Sequence, residues 1–364
     1  MNAHLRRAAA LAATATMAVS LTACAETEKQ IPQTLRDDLV VGLLLPDDEA
    51  ARYEKFDKPV IEERIARLTN SKGRVLYANA RQSANAQAQQ VENMIKNKID
   101  VLIVDAVDSK AIAGSVEKAK KANIPVVAYD RLAEGPIDAY TSFDNEQVGH
   151  VQGKALLKAL GQAAGDGQIV MMNGAVTDPN AAMFKKGAHT ELDGKVTIGA
   201  EYDTKDWKPE NAGANMQTAI SALGKDKIIG VYSANDGMAG GIITTLKAAG
   251  YTKLPPVTGQ DADLAAVQRI VAGEQYMSIY KPYGYEAAAV ADMAILLARG
   301  MSLDLAAQTD VDSPTKKAIP SVLVPVIALT KDNIKDTVIK DGVYTAQEIC
   351  TPEYETACDE LGLR

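Results

Sequence analysis

One arrangement occurs twice in this chain, and it leaves few folds open. Val101-Leu102-Ile103-Val104 is an apolar run of strand length. A polar turn from Asp105 to Ser109 follows it, then a helical pattern carrying Ile112, Val116 and Ala119, then Ile124-Pro125-Val126-Val127-Ala128-Tyr129-Asp130-Arg131. About 130 residues later the same order returns: Ile228-Ile229-Gly230-Val231, a turn from Ser233 to Asp236, a helical pattern with Ile242, Ile243 and Leu246, and Pro256-Val257-Thr258-Gly259-Gln260-Asp261. An unbroken apolar run that ends abruptly in charge is how a strand buried on both faces reads when its C-terminal end opens into a crevice. Two such α/β units, each closing on a carboxylate, predict a small polyhydroxyl molecule held between two domains.

The rest of the chain keeps the alternation. Leu39 to Leu45 reads as a buried first strand ending at Pro46-Asp47-Asp48. A helix should follow with Phe56, Val60, Ile61, Ile65 and Leu68 inward, kinked or started late by Pro59. Further strands are expected at Val75–Tyr77, Ile169–Met172, Val196–Ile198, Pro256–Gly259 and Tyr276–Lys281, with short links between helices and strands. That pattern specifies an α/β protein, two doubly wound parallel-sheet domains joined by a multi-strand hinge. The expected division is residues 38–144 plus 283–318 for the first domain and 145–282 plus 319–345 for the second. Residues 346–364 form a tail.

The N-terminus reads as an export signal: Arg6 and Arg7, an apolar stretch from Ala8 to Ser20, then Leu21-Thr22-Ala23-Cys24. Small residues before this cysteine resemble a bacterial lipobox, so residues 1–23 are expected to be removed, Cys24 lipidated, and residues 24–37 to serve as a tether. The alternative is ordinary cleavage near Ala23. Two cysteines then remain, Cys350 and Cys358, and outside the cytoplasm such a close pair is expected to form a disulfide that pins the tail. Loss of Arg6 and Arg7 leaves 37 basic against 47 acidic side chains, a formal charge of −10. That excess argues against a nucleic-acid partner.

A pyranose presents hydroxyls at its rim and C–H groups on its faces. A site for one needs planar, bidentate side chains around the edge and aromatic rings above and below. The polar strand ends supply that set: Arg52-Tyr53, Asp130-Arg131, Asn180, Trp207, Asn235-Asp236, Asp261 and Lys281. Each Asp or Asn alone has a plainer use as a helix cap or turn residue, Asp236 in particular. Trp207 is the chain's single tryptophan, set in Asp206-Trp207-Lys208-Pro209, a poor context for a core residue and otherwise a surface one.

At these residues the chain resembles the D-xylose-binding proteins of bacterial ABC importers. The resemblance is carried by Tyr129-Asp130-Arg131, Ser142-Phe143-Asp144-Asn145-Glu146, Ser233-Ala234-Asn235-Asp236, Gly259-Gln260-Asp261-Ala262-Asp263-Leu264, Tyr280-Lys281-Pro282 and Asn333 to Gly342, in order over roughly residues 39–343. It implies the periplasmic binding protein fold, a three-segment hinge, no catalysis and no cofactor. It also implies a monosaccharide ligand, a membrane permease as partner, and a monomer on the extracytoplasmic side. Sugar contacts would fall on Arg52, Arg131, Asn180, Asn235, Asp261 and Lys281, with Tyr53 and Trp207 as aromatic faces. Asp130 and Asp236 flank matching contacts as direct or supporting ligands. Tyr53 departs from the family's pattern, where a tryptophan stands; it can stack, but its hydroxyl bears on which aldose fits. The tail after Gly342 lies outside the resemblance.

Other classes lack their signatures. A sugar-responsive repressor of this fold needs an N-terminal helix-turn-helix. A dehydrogenase needs Gly-x-Gly-x-x-Gly after a strand, and neither a Gly-x-Ser-x-Gly elbow nor a Walker loop is present. His4, His150 and His189 have no partner pattern for a nucleophile or metal, and no Asp-x-Asp-x-Asp-Gly calcium loop occurs, so no metal is expected. Asp261 and Asp263 could in principle hydrolyse glycosides, but at a strand end they more simply bind a hydroxyl and cap a helix. A receptor passing sugar occupancy to a kinase, and an importer protein for glucose or another aldose, remain alternatives.

Overall fold

Strands made almost entirely of Val, Ile, Leu and Ala need cover on both faces, and the first half of the molecule provides it. The computed structural model describes residues 36–364 except Glu49 and Ala51. The expected signal, Cys24 and the tether up to residue 35 lie outside the described residues. The first sheet is built from β1 (Val40–Leu45), β2 (Arg74–Asn79), β3 (Val101–Val104), β4 (Val126–Tyr129), β5 (Ala139–Phe143), β10 (Thr309–Val311) and β11 (Ile319–Val324). Its order is β10-β11-β5-β4-β3-β1-β2, with every neighbouring pair parallel except β10–β11. One face packs on α1 (Lys58–Leu68) and α9 (Tyr283–Ala298), the other on α2 (Ala84–Lys96) and α3 (Ala113–Lys121). Strand order reverses between β1 and β3, the switch point where open α/β sheets place ligands at their C-terminal edge.

Pro59 explains the start of α1. Proline has no N–H, so the helix opens with a wide turn over Tyr53–Asp57, closed by Lys58 N–H donating to the Tyr53 carbonyl, before regular winding begins. Ile61 and Ile65 then face inward, fully buried, and each contributes about 1.5–3 kcal/mol by leaving water.

The second half repeats the scheme. β6 (Gln168–Asn173) lies between β7 (Thr197–Asp203) and β8 (Ile228–Ser233), all parallel. Around it pack α4 (Asn145–Leu160), α5 (Pro179–Leu192), α6 (Pro209–Leu223) and α7 (Asp236–Ala248). Beyond β8, Pro256–Gly259 is not a continuous strand: it makes one bridge, Val231 to Val257, with Thr258 N–H donating to the Val231 carbonyl. Pro255 and Pro256 have removed the amide donors a ladder needs. Next come α8 (Leu264–Ala272) and β9 (Ser278–Tyr280), the latter antiparallel to β12 (Ile327–Leu329).

The chain passes between the two sheets three times: from β5 into α4, from β9 into α9, and from β11 into β12. The third passage falls later than the sequence pattern indicated. Ile319–Val324 pairs in register with β5 of the first sheet, so the strand assigned from residue 319 to the second domain belongs with the first, and crossing begins at Pro325. The tail forms two short helices, α10 (Ala346–Ile349) and α11 (Glu355–Glu360), bridged by a Cys350–Cys358 disulfide with Cα atoms 5.9 Å apart. Ile349, Cys358 and Leu363 bury themselves with Val267 and Ile270 of α8. Among the described residues no helix is long and apolar enough to cross a membrane.

Candidate functional site

The C-terminal ends of β1, β3 and β4 bring two guanidinium groups into a nearly dry crevice. Arg52, 3 % exposed, has Nε 2.8 Å from Asp57 Oδ2, Nη2 2.6 Å from Glu286 Oε2 and Nη1 3.4 Å from Asp130 Oδ2. Its guanidinium also lies 4.4 Å from the centre of the Tyr283 ring. Tyr53 donates its hydroxyl to Asp130 Oδ2 at 3.1 Å. Arg131 donates to the Ala106 carbonyl at 3.1 Å and has Asp105 Oδ1 3.6 Å from its Nε. Burial pushes the Asp130 carboxyl up, but the charges of Arg52, Lys281 and Arg131 outweigh it and hold the group below the usual carboxylate range. Asp105 and Glu286 go the other way: burial drives both well above that range, and Asp57 to about 6. Around Arg52, burial thus favours the neutral forms of Asp105, Glu286 and Asp57, whereas the surrounding cations favour the charged form of Asp130.

The second half contributes helix N-termini and one turn. Asn235 caps α7, its Oδ1 accepting from Met238 N–H at 2.9 Å, which leaves its amide nitrogen for another partner. Asp178 caps α5 through Asn180 N–H and sits 3.0 Å from Arg131 Nε. Asn180 donates Nδ2 to the Asp130 carbonyl at 3.1 Å. Lys281 Nζ lies 3.2 Å from Asp261 Oδ1 and over the rings of Phe143 and Phe184. Trp207 stands edge-on to Phe184, ring centres 6.3 Å apart. Its indole needs Gly174: a Cβ there would lie 2.0 Å from the six-membered ring. Asp130, Trp207 and Asp261 hold left-handed backbones, φ 53°, 58° and 98°, strain of the kind that collects where side chains must be aimed.

These groups enclose a polar cleft with an empty volume of about 680 Å³ including its mouth. Contacts cross it: Arg131 to Asp178, Asn180 to Asp130, and Gln82 Nε2 donating to the Asp206 carbonyl at 3.1 Å. The structure is therefore the closed arrangement of the two halves. Four polar atoms of its lining are buried with neither a hydrogen-bond nor an ion-pair partner: Gln82 Oε1, Asn180 Oδ1, Gln260 Oε1 and Trp207 Nε1.

Of the ten residues singled out from the sequence, nine line this cleft: Arg52, Tyr53, Asp130, Arg131, Asn180, Trp207, Asn235, Asp261 and Lys281. Asp236 does not. Its carboxylate turns away, accepting from Gln275 Nε2 at 2.7 Å, Ser278 Oγ at 2.7 Å and Asp263 N–H at 3.0 Å, and Gly259 gives it room, since a Cβ there would meet Oδ1 at 1.9 Å. It fixes the loop that carries Asp261. Asp47, Gln82, Asp178, Phe184 and Gln260 also line the cleft and were not foreseen; Asp263, expected beside Asp261 at this strand end, lines it too and makes no side-chain cap to α8. Gln260 stands inside a quoted motif; Glu286, one of two acids in the alanine-rich α9, is buried without any motif to mark it. His150 and His189 pair with carboxylates outside the lining.

Two doubly wound α/β halves closed over a polar cavity define a cleft-type ligand-binding protein. The chain belongs to the periplasmic binding protein family: residues 41–302 match the model described as "periplasmic binding protein domain". It is 35% identical over 318 residues to the D-xylose-binding periplasmic protein of Escherichia coli, covering 86% of this chain and 93% of that one. It is 31% identical to a multiple sugar-binding periplasmic receptor of Rhizobium radiobacter, covering 87% and 94%. Among solved structures it is similar to an ABC transporter solute-binding protein of Clostridium phytofermentans with bound β-D-glucose, at a TM-score of 0.79 and 28% identity over 85% of this chain and 99% of that one. The family consists of binding proteins, and this protein is not an enzyme.

Proposed function

We propose that the protein is the extracytoplasmic solute-binding component of an ABC importer, holding one monosaccharide, D-xylose, in the cleft and delivering it to a membrane permease. The observation that carries this reading is the cleft's composition: planar amide, carboxylate and guanidinium groups from both halves, with Tyr53 on one side and Trp207 on the other. A sugar spanning such a site has its hydroxyls paired only when the halves meet, so it selects the closed form, and the permease recognises that form. Arg131, Asn180, Asn235, Asp261, Lys281 and Arg52 are the proposed hydroxyl partners, with Asp130 orienting Arg52 and Tyr53. Lipidation at Cys24 would hold the monomeric protein at the membrane beside its permease.

Glucose is the second ligand reading, favoured by the Clostridium neighbour's bound β-D-glucose. A sensory role rests on the likeness to the Rhizobium receptor and uses the same closed form. Calorimetric titration with xylose, glucose, ribose, arabinose and galactose tests the ligand. One-to-one binding with xylose tightest is the expected result. Tightest binding of glucose would replace the named ligand and keep the mechanism; no binding of any of the five would overturn the sugar reading.

A further inference from the structure

We infer that Gln82 is a positioning residue that sets Trp207 when the cleft closes and thereby slows ligand release. The inference rests on the cleft closing over a sugar. Gln82 lies in the turn between β2 and α2, where two successive non-glycine residues, Arg81 and Gln82, hold left-handed backbones of φ 47° and 62°. That turn is pinned on both sides: Gln82 N–H donates to the Pro46 carbonyl at 2.8 Å, and Ser83 Oγ caps α2 by accepting from Ala86 N–H. The side chain therefore leaves a fixed base.

Facing it across the cleft is a second strained turn, with Asp206 at φ 57° and Trp207 at φ 58°. Gln82 Nε2 donates to the Asp206 carbonyl at 3.1 Å, which is the oxygen of the peptide group joining Asp206 to Trp207. A carbonyl can only accept, so the nitrogen end of the amide must make this contact, and Oε1 is the end left over. Oε1 is buried, has no hydrogen-bond partner, and belongs to a side chain lining the cleft. It is an acceptor suited to a ligand hydroxyl. The indole is already seated within its own half by Gly174 and Phe184. The backbone behind it is held from the other half, by Gln82, and only in the closed form. One amide thus ties closure to the aromatic face and adds an acceptor.

The test follows the fluorescence of Trp207, the single tryptophan, by stopped flow with D-xylose and D-glucose as probes. Wild type, Gln82→Ala, Gln82→Asn and Gln82→Glu are compared. Loss of the cross-cleft bond and the extra acceptor is expected to speed release about tenfold in Gln82→Ala, with association within about twofold of wild type and the ligand-free melting temperature unchanged. Gln82→Asn, too short to span, should match it. Gln82→Glu should also release faster, because a carboxylate cannot donate to the Asp206 carbonyl. Release unchanged in Gln82→Ala while wild type binds would overturn the inference alone. A drop in ligand-free stability with equal slowing of association would overturn it in favour of a role in folding. No binding of either sugar by wild type would overturn the sugar reading and this inference with it.

Discussion

Asp263 opens α8 beside Asp261 and Asp236, and burial together with the Asp261 charge pushes its pKa up to about 7, against the pull of Arg269. A carboxyl whose folded pKa lies above its unfolded value binds its proton more tightly in the folded state. Its stabilising contribution is complete below the unfolded pKa and is lost as pH rises through about 7. The protein should therefore lose stability through this group from about pH 4, the unfolded value, up to about pH 7. Asp263→Asn, neutral at every pH, should raise the melting temperature at pH 8 by roughly 2–4 °C and change it little at about pH 4. Calorimetric scans check this; a shift of equal size at both pH values would contradict it. Gly174→Ala should push the indole of Trp207 from its seat, weakening sugar binding about tenfold or more and altering the emission of Trp207. At this scale the sequence was most legible where an apolar run ended in charge, as at Asp130-Arg131 and Asp261. It was least legible at Gln82 and Asp57, polar residues in a turn and a helix start, where such residues are ordinary. Asp236 shows the limit between the two: its spacing announced a strand end, but only packing decides which way a carboxylate turns.

The α9 helix begins immediately after the second passage between the halves, and its first residue spans them. Tyr283 packs its ring against Phe56 and Phe143 of the first half and donates its hydroxyl to the Asp261 carbonyl of the second at 2.6 Å. Tyr283→Phe keeps the ring and should weaken sugar binding about threefold to tenfold with the fold intact, measured by calorimetry and circular dichroism. Unchanged affinity would mean that the left-handed backbone of Asp261 needs no such support. The tail element should behave independently of the site. Replacing Cys350 and Cys358 by serine removes a short loop constraint worth about 2.5 kcal/mol, expected as faster hydrogen exchange over α10 and α11 with sugar affinity unchanged. The alternating strands and helices that carry the two sheets were readable from periodicity, whereas the short β10, α10 and α11 were not. Boundaries shifted where a local rule competed: paired prolines reduced residues 256–259 to a single bridge, and β11 joined the first sheet because its apolar run finds a parallel partner in β5.

For the molecule as a whole, the repeated strand–helix–strand unit foretold two halves with a polar cleft between them, because buried parallel strands leave only their C-terminal ends free to do chemistry. What the sequence could not convey was the degree of closure, since contacts such as Arg131 to Asp178 and Gln82 to Asp206 join residues far apart in the chain. On the proposed reading, closure is what brings the polar strand ends of both halves to one sugar. The most direct test is a crystal structure of the protein grown with D-xylose. The expected result is one pyranose between Tyr53 and Trp207, its hydroxyls within hydrogen-bond distance of Arg131, Asn180, Asn235 and Asp261. A sugar bound anywhere else, or halves that stay closed over a cleft holding no sugar, would contradict it.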